Sequence, residues 1–148
     1  MTPQDHGQLI RKAFEEFKKG NIDFVDEVYS RDCSIHDPFF PSQGTAQMKD
    51  QARQMRSAIP DMHMEVHEIL VDGDMTAARW TMGGTQRGEV MGLPASGKTF
   101  VSTGVMLDKW EGDRIVEEWN SYDVAGMLQQ LGFMPDQQQL AQMASARR

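Results

Sequence analysis

One cysteine, Cys33, is all the chain holds in 148 residues. It can form no internal disulfide, and a single thiol cannot build a thiolate metal site. No run of about 18 apolar residues occurs, which excludes a transmembrane helix. Met1 to Asp5 lack the basic and apolar regions of a secretory signal, so a cytoplasmic location is expected. Basic charge is scarce as well: 15 Lys and Arg stand against 22 Asp and Glu, a net charge of −7. The one dense basic group, Arg11-Lys12 with Lys18-Lys19, lies at helical spacing among Glu15 and Glu16 and reads as a solvated helix face. Neither a nucleic acid nor a membrane is expected as a partner. No internal repeat and no linker interrupts the chain. The 39% apolar and 25% charged content is close to the soluble globular norm, which excludes a disordered, collagen-like or coiled-coil chain. The length suits one domain with a core large enough to enclose a pocket.

What the chain has in abundance is methionine, 12 in all. Met fills irregular apolar space and adapts to bulky apolar ligands, although a high count can equally be a compositional habit. The hydrophobic period sets the element order. Leu9, Ile10, Ala13, Phe14 and Phe17 form an amphipathic stripe over residues 5–19, with Asp5 as N-cap and Gly20 as stop. A short helix is expected over 22–29, a short strand over 33–37 ended by Pro38, and a helix over 45–58 capped by Thr45 and ended by Pro60. From Met62 the period becomes two. Asp72-Gly73-Asp74 and Glu111-Gly112-Asp113 are hairpin turns and residues 87–98, rich in Gly and Pro, are a loop; these separate strands at 62–71, 75–86, 99–110 and 114–122. A closing helix follows over 123–131, ended by Gly132, and the Gln-rich segment 134–148 reads as a polar tail, frayed or used as an oligomer contact. Helices first and strands afterwards mean α+β: a curved antiparallel sheet wrapped around about three helices, a cone-shaped α+β barrel with an internal cavity. Residues 1–133 form its single domain.

Several local patterns carry less chemistry than they suggest. His63, Glu65 and His67 share one strand face, but Met62, Met64 and Val66 fill the other, so the polar face most simply meets water and no metal is expected. Gly92 to Thr99 matches Gly-x-x-x-x-Gly-Lys-Thr, yet a P-loop follows a buried strand and opens a helix, whereas here an alternating strand follows. Arg79 inside an apolar strand is expected to pair with an acid on the adjacent strand.

Three stretches then stand out in order and spacing. They are His36-Asp37-Pro38; Gly84-Thr85-Gln86-Arg87-Gly88 with Met91-Gly92-Leu93-Pro94-Ala95-Ser96-Gly97-Lys98; and Ile115-Val116-Glu117-Glu118-Trp119 with Asp123, Gly126-Met127-Leu128 and Gln130-Leu131-Gly132. Together they resemble the SnoaL-like polyketide cyclases (ester cyclases), a branch of the nuclear transport factor 2-like superfold, over residues 5–133. The resemblance implies an α+β barrel, a homodimer or higher oligomer, and a cofactor-independent intramolecular aldol closure. It also implies that Asp123, which matches the acid of the family's Trp-x-x-x-Asp stretch, is the general acid/base. Where many relatives have Gly-Thr-His-x-Gly, this chain has Gln86, which cannot move a proton near neutral pH.

Aldol closure needs a base beside a carbonyl and an environment that stabilises the enolate, and a carboxylate serves if burial raises its pKa. Alternation puts Trp119 on the same strand face as Asp123. Asp is also a favoured helix N-cap, and the two roles can coexist. Of the neighbours His36 and Asp37 only one can face a cavity; His36 is taken inward as catalytic partner, with Asp37 either contacting substrate or making a turn before Pro38. The expected substrate wall comprises Asp37, Phe39, Phe40, Trp80, Gln86, Arg87, Met91, Met106 and Trp119. The expected activity is that of a cyclase or isomerase on a bulky apolar carbonyl compound. The alternatives are a hydrolase or dehydratase using the same pocket, or a non-catalytic ligand-binding or dimerisation module.

Overall fold

Burial alternates without a break along the strand Thr99–Glu111, where every second residue from Phe100 to Trp110 is buried. One face of the sheet is therefore core and the other is wet. The computed structural model describes residues 2–147. In chain order the elements are α1 (Pro3–Lys18), a 3-10 turn (Ile22–Phe24), α2 (Val25–Val28), β1 (Tyr29–His36), β2 (Ser42–Gln43), α3 (Thr45–Ala58), β3 (His63–Asp72), β4 (Met75–Thr85), β5 (Thr99–Glu111), β6 (Arg114–Tyr122), α4 (Val124–Gln130) and α5 (Gln137–Ala146). The strands form one curved sheet in the order β2-β1-β6-β5-β4-β3. It stays open, with β2 and β3 as edges, so the expected barrel is an unclosed one.

The pairings β3–β4 and β5–β6 are antiparallel as the two turn signals require, and β4–β5, joined by the long loop 86–98, is antiparallel as well. β1 pairs parallel to β6, a long-range contact with no local sequence signal. It also begins four residues earlier than its apolar pattern suggested, which brings Tyr29 into the sheet.

Helices α1, α2 and α3 pack on the inner face. Ile10 and Phe14 of α1, Val28 of α2 and Ala58 of α3 join Trp80, Met82, Phe100, Met106, Trp110 and Ile115 of the sheet in one core. His6 ties α1 to the β5–β6 turn: its ring stacks on Trp110 at 4.2 Å between centroids, and Nε2 lies 2.8 Å from the Gly112 carbonyl oxygen. A carbonyl only accepts, so Nε2 carries the proton.

Three helix ends differ from expectation. The N-cap of α1 is Thr2 and not Asp5, which sits inside the first turn and accepts the Thr2 amide and hydroxyl at 2.7 and 2.8 Å. The N-cap of α3 is Gly44 at φ 86°, a left-handed position that suits glycine, and Thr45 is buried as the first helical residue. Within the expected tail 134–148, residues 137–146 form α5, started by a reciprocal cap between Asp136 and Gln139.

The β5–β6 register jumps between Lys109↔Glu117 and Trp110↔Ile115, so Val116 is an extra residue. Such a bulge reverses which side chains face inward beyond it. Ile115 points into the core, and after the bulge it is Glu118 that is buried while Trp119 is 38% exposed.

Candidate active site

A cavity of about 240 Å³ lies between the inner face of the sheet and helices α1 to α3. This is slightly below the ~300–1,000 Å³ common for small-molecule sites. Its wall is mostly apolar, with Phe14, Phe24, Val28, Ile35, Phe40, Trp80 and Ile115 among the lining residues. Met48, Met55, Met64, Met82, Met106 and Met127 line it too, so half of the chain's methionines gather at one place. Flexible thioethers of this kind can re-pack around a guest larger than the empty space. Gly104 makes room for the Trp80 wall: a Cβ there would stand 2.5 Å from the indole Cζ2.

The polar groups of the cavity concentrate on the β1–β6 side. Asp37 follows β1 and lines the cavity. Its Oδ1 accepts the Phe39 and Phe40 amides, each at 2.9 Å, an Asx turn closed at Pro38, and the Tyr122 hydroxyl at 2.7 Å. Oδ2 meets no donor among the described residues. Burial, reinforced by Asp37, raises the Tyr122 phenol far above its ordinary range.

Glu118, 4% exposed, is the second cavity carboxyl. Tyr29 donates its hydroxyl to Oε1 at 2.6 Å, and Asn120 donates Nδ2 to Oε2 at 2.9 Å. Burial raises Glu118 from its ordinary value; hydrogen bonds from Asp108, Tyr29 and Asn120 act in the opposite direction. Asn120 therefore turns its Nδ2 to Glu118, which leaves its buried Oδ1 without a partner. Behind Glu118, away from the cavity, lies Asp108, fully buried and raised well above the carboxylate range by burial and then by the charge of Glu118.

A second, smaller hollow of about 30 Å³ is lined by Phe39, Phe40, Gln86, Met91, Leu93 and Leu131. Gln86 is 1% exposed and its Nε2 donates to the Leu93 and Pro94 carbonyls at 3.3 and 3.1 Å. The loop that matched a phosphate-cradle pattern folds back on itself, with Gln86 and Lys98, and Gly97 and Gln86, joined by backbone hydrogen bonds, and β5 follows it.

The residues expected from the sequence thus divide. Asp37, Phe40, Trp80 and Met106 line the main cavity; Phe39, Gln86 and Met91 line the small hollow. The others lie elsewhere. His36 is on the outer face, stacked on Trp119 at 5.5 Å and bonded to Glu117 Oε2 at 2.7 Å, so of the His36-Asp37 pair it is Asp37 that faces inward. Trp119 shares that outer face because of the Val116 bulge. Arg87 is exposed. Asp123 is exposed and does not line the cavity; its Oδ1 accepts the Gly126 amide at 2.8 Å and caps α4. Arg79 pairs through two hydrogen bonds with Glu68 on adjacent β3. His67 bonds to the Thr81 hydroxyl, and no group of three metal-ligating side chains occurs among the described residues. Cys33 is buried, its thiol pushed up to about 11 by that burial.

Sequence reasoning missed Tyr29, Asp108, Glu118, Asn120 and Tyr122. Asp108 was findable, since it alternates with Met106 and Trp110 on the apolar face of β5. Glu118, Asn120 and Tyr122 were hidden by the bulge.

The description "SnoaL-like polyketide cyclase" matches residues 8–131. Comparison with curated proteins gives no match. Among solved structures, TsrD from Streptomyces laurentii superimposes with a TM-score of 0.82 at 24% identity, covering 90% of this chain and 99% of that one. IdmH from Streptomyces antibioticus, a candidate polyketide cyclase, is 28% identical with a TM-score of 0.71, covering 89% and 99%. A SnoaL-like polyketide cyclase from Agrobacterium tumefaciens is 19% identical with a TM-score of 0.73, covering 89% and 100%.

Proposed function

The chain belongs to the SnoaL-like polyketide cyclase family, and from that membership we propose that it binds a bulky, mostly apolar carbonyl compound and converts it by general acid/base catalysis. The reading rests on one observation: two carboxyl groups, Asp37 and Glu118, stand with two tyrosines on one wall of a mostly apolar cavity. An apolar site strengthens a carboxylate as a base because burial disfavours its charged form. Ketosteroid isomerase uses the same combination of a carboxylate base and acidic hydrogen-bond donors. The tyrosine hydroxyls are engaged by the carboxylates. When a carboxylate takes a proton from carbon, its claim on the tyrosine weakens, and the hydroxyl is free to turn to the enolate oxygen. In this reading Asp37 and Glu118 are the acid/base groups, and Asp123 holds the helix α4 that closes the site.

We propose further that the chain acts as a homodimer through the wet face of the sheet. Val101, Val105, Leu107 and Trp119 are 55%, 46%, 40% and 38% exposed there, an apolar group on one surface.

The test is a thermal-shift screen of aromatic polyketide-like and steroid-like carbonyl compounds, with conversion followed by mass spectrometry. It compares wild type, Asp37→Asn, Glu118→Gln and Asp123→Asn. The expected result is a compound that stabilises all four proteins and is converted by wild type and Asp123→Asn. Loss of conversion confined to Asp123→Asn would return the acid/base role to Asp123. Binding without conversion in any protein would make the cavity that of a non-catalytic binding module.

A further inference from the structure

Two carboxyl groups face each other inside the sheet with no cation between them. Asp108 and Glu118 are direct partners in the β5–β6 ladder, 0% and 4% exposed. Side chains placed this way have Cβ atoms about 4.5–5.5 Å apart. No ion pair among the described residues reaches either of them.

Their surroundings are unequal. Glu118 receives the Tyr29 hydroxyl and the Asn120 amide. Neither oxygen of Asp108 has a partner at full hydrogen-bonding geometry, and the nearby Thr76 hydroxyl, which favours the charged form, is outweighed by burial. A buried carboxylate with so little to compensate it is far costlier than the neutral acid. Asp108 therefore keeps its proton, and the acceptor opposite it is Glu118. The other groups that face the pair are the neutral Tyr29 phenol and Cys33 thiol of β1, Thr76 of β4, and Asp37, whose charge works against that of Glu118.

We propose that Asp108 and Glu118 form a dyad holding a single proton at neutral pH, in which Asp108 donates to Glu118 and keeps it a carboxylate facing the cavity. This rests on the reading above, in which Glu118 is an acid/base group. Asp108 itself does not line the cavity and is a positioning residue. When a ligand C–H bond breaks, the proton passes to Glu118 and the bonding electrons stay on the ligand as an enolate. The dyad then carries two protons, and returning one to the product restores it.

The test is a pH titration of the full, ligand-free chain carrying 13C-labelled Asp and Glu carboxyl groups, followed by NMR. Wild type should show one carboxyl that stays protonated through neutral pH, and that signal should be missing from Asp108→Asn. The new amide still donates, so the Glu118 midpoint moves little. Asp108→Leu removes the donor and raises the Glu118 midpoint by about one unit or more, as loss of a hydrogen bond to the charged form does. Two ionised carboxyls at neutral pH, a protonated signal that survives in Asp108→Asn, or an unmoved midpoint in Asp108→Leu each overturn the dyad. If Asp108→Leu does not fold, the comparison of wild type with Asp108→Asn decides by itself. The titration needs no ligand. A shared proton with no compound converted would sink the enzymatic reading and uphold the dyad.

Discussion

A carboxyl group that its surroundings keep protonated makes stability fall as pH rises. Asp108 in the folded chain is raised well above the carboxylate range, chiefly by burial. An unfolded chain releases that proton near pH ~4. Above this point the folded state binds more protons than the unfolded state, so the slope of unfolding free energy against pH is negative for this group. The penalty is absent below the unfolded pKa and grows until the folded pKa is reached. Asp108→Asn removes the titration and keeps the donor. Urea unfolding between acid and neutral pH should therefore find Asp108→Asn more stable than wild type at neutral pH, with the advantage fading toward acid. The same residue scale carries the catalytic prediction. Glu118→Gln preserves the shape of the wall and loses the base, so conversion should drop by roughly 10²–10⁴-fold, the usual worth of a positioned proton carrier. An unchanged rate would remove Glu118 from the chemistry.

At the scale of elements, two local devices shape the site. One is the cap of α4. Asp123→Ala deletes the acceptor for the Gly126 amide, and N-cap losses of this kind cost about 0.5–2 kcal/mol. The midpoint of denaturant unfolding should fall accordingly, while conversion by the folded protein persists. The other is the close approach of β5 to Trp80. A Cβ on Gly104 would meet the Trp80 ring at 2.5 Å and the Ser121 carbonyl oxygen at 2.7 Å. Neither the strand backbone nor the buried indole can yield freely. Gly104→Ala should lower stability by about 1–3 kcal/mol, the common cost of overpacking. It should also weaken ligand binding, because Trp80 is a cavity wall.

On the scale of the whole molecule the sheet has two destinies. Its inner face encloses the cavity; its outer face exposes Val101, Val105, Leu107 and Trp119. If that face joins two copies, a double variant Val105→Glu with Leu107→Glu should sediment as a monomer while wild type sediments as a dimer. Equal sedimentation of the two would remove this surface from the assembly. The variant should fold normally, because both side chains already meet water in the single chain.

The α+β class, the two hairpins β3–β4 and β5–β6 and the helices α1, α3 and α4 were legible in the sequence, because each follows from neighbours within a few residues: period, turn chemistry and caps. The family resemblance was legible for the same reason, as short motifs in order. The inward placement of Asp37, Phe40, Trp80 and Met106 belongs to the fold. The parallel β1–β6 pairing brings Tyr29 and Asp37 to Glu118 and Tyr122, partners 89 and 85 residues away along the chain. No local pattern records a contact over that distance. The single extra residue Val116 then turns Glu118, Asn120 and Tyr122 inward and sends Trp119 out to the opposite face. Strict alternation had no means of showing that reversal, because a bulge is decided by how two strands fit each other and not by either strand alone.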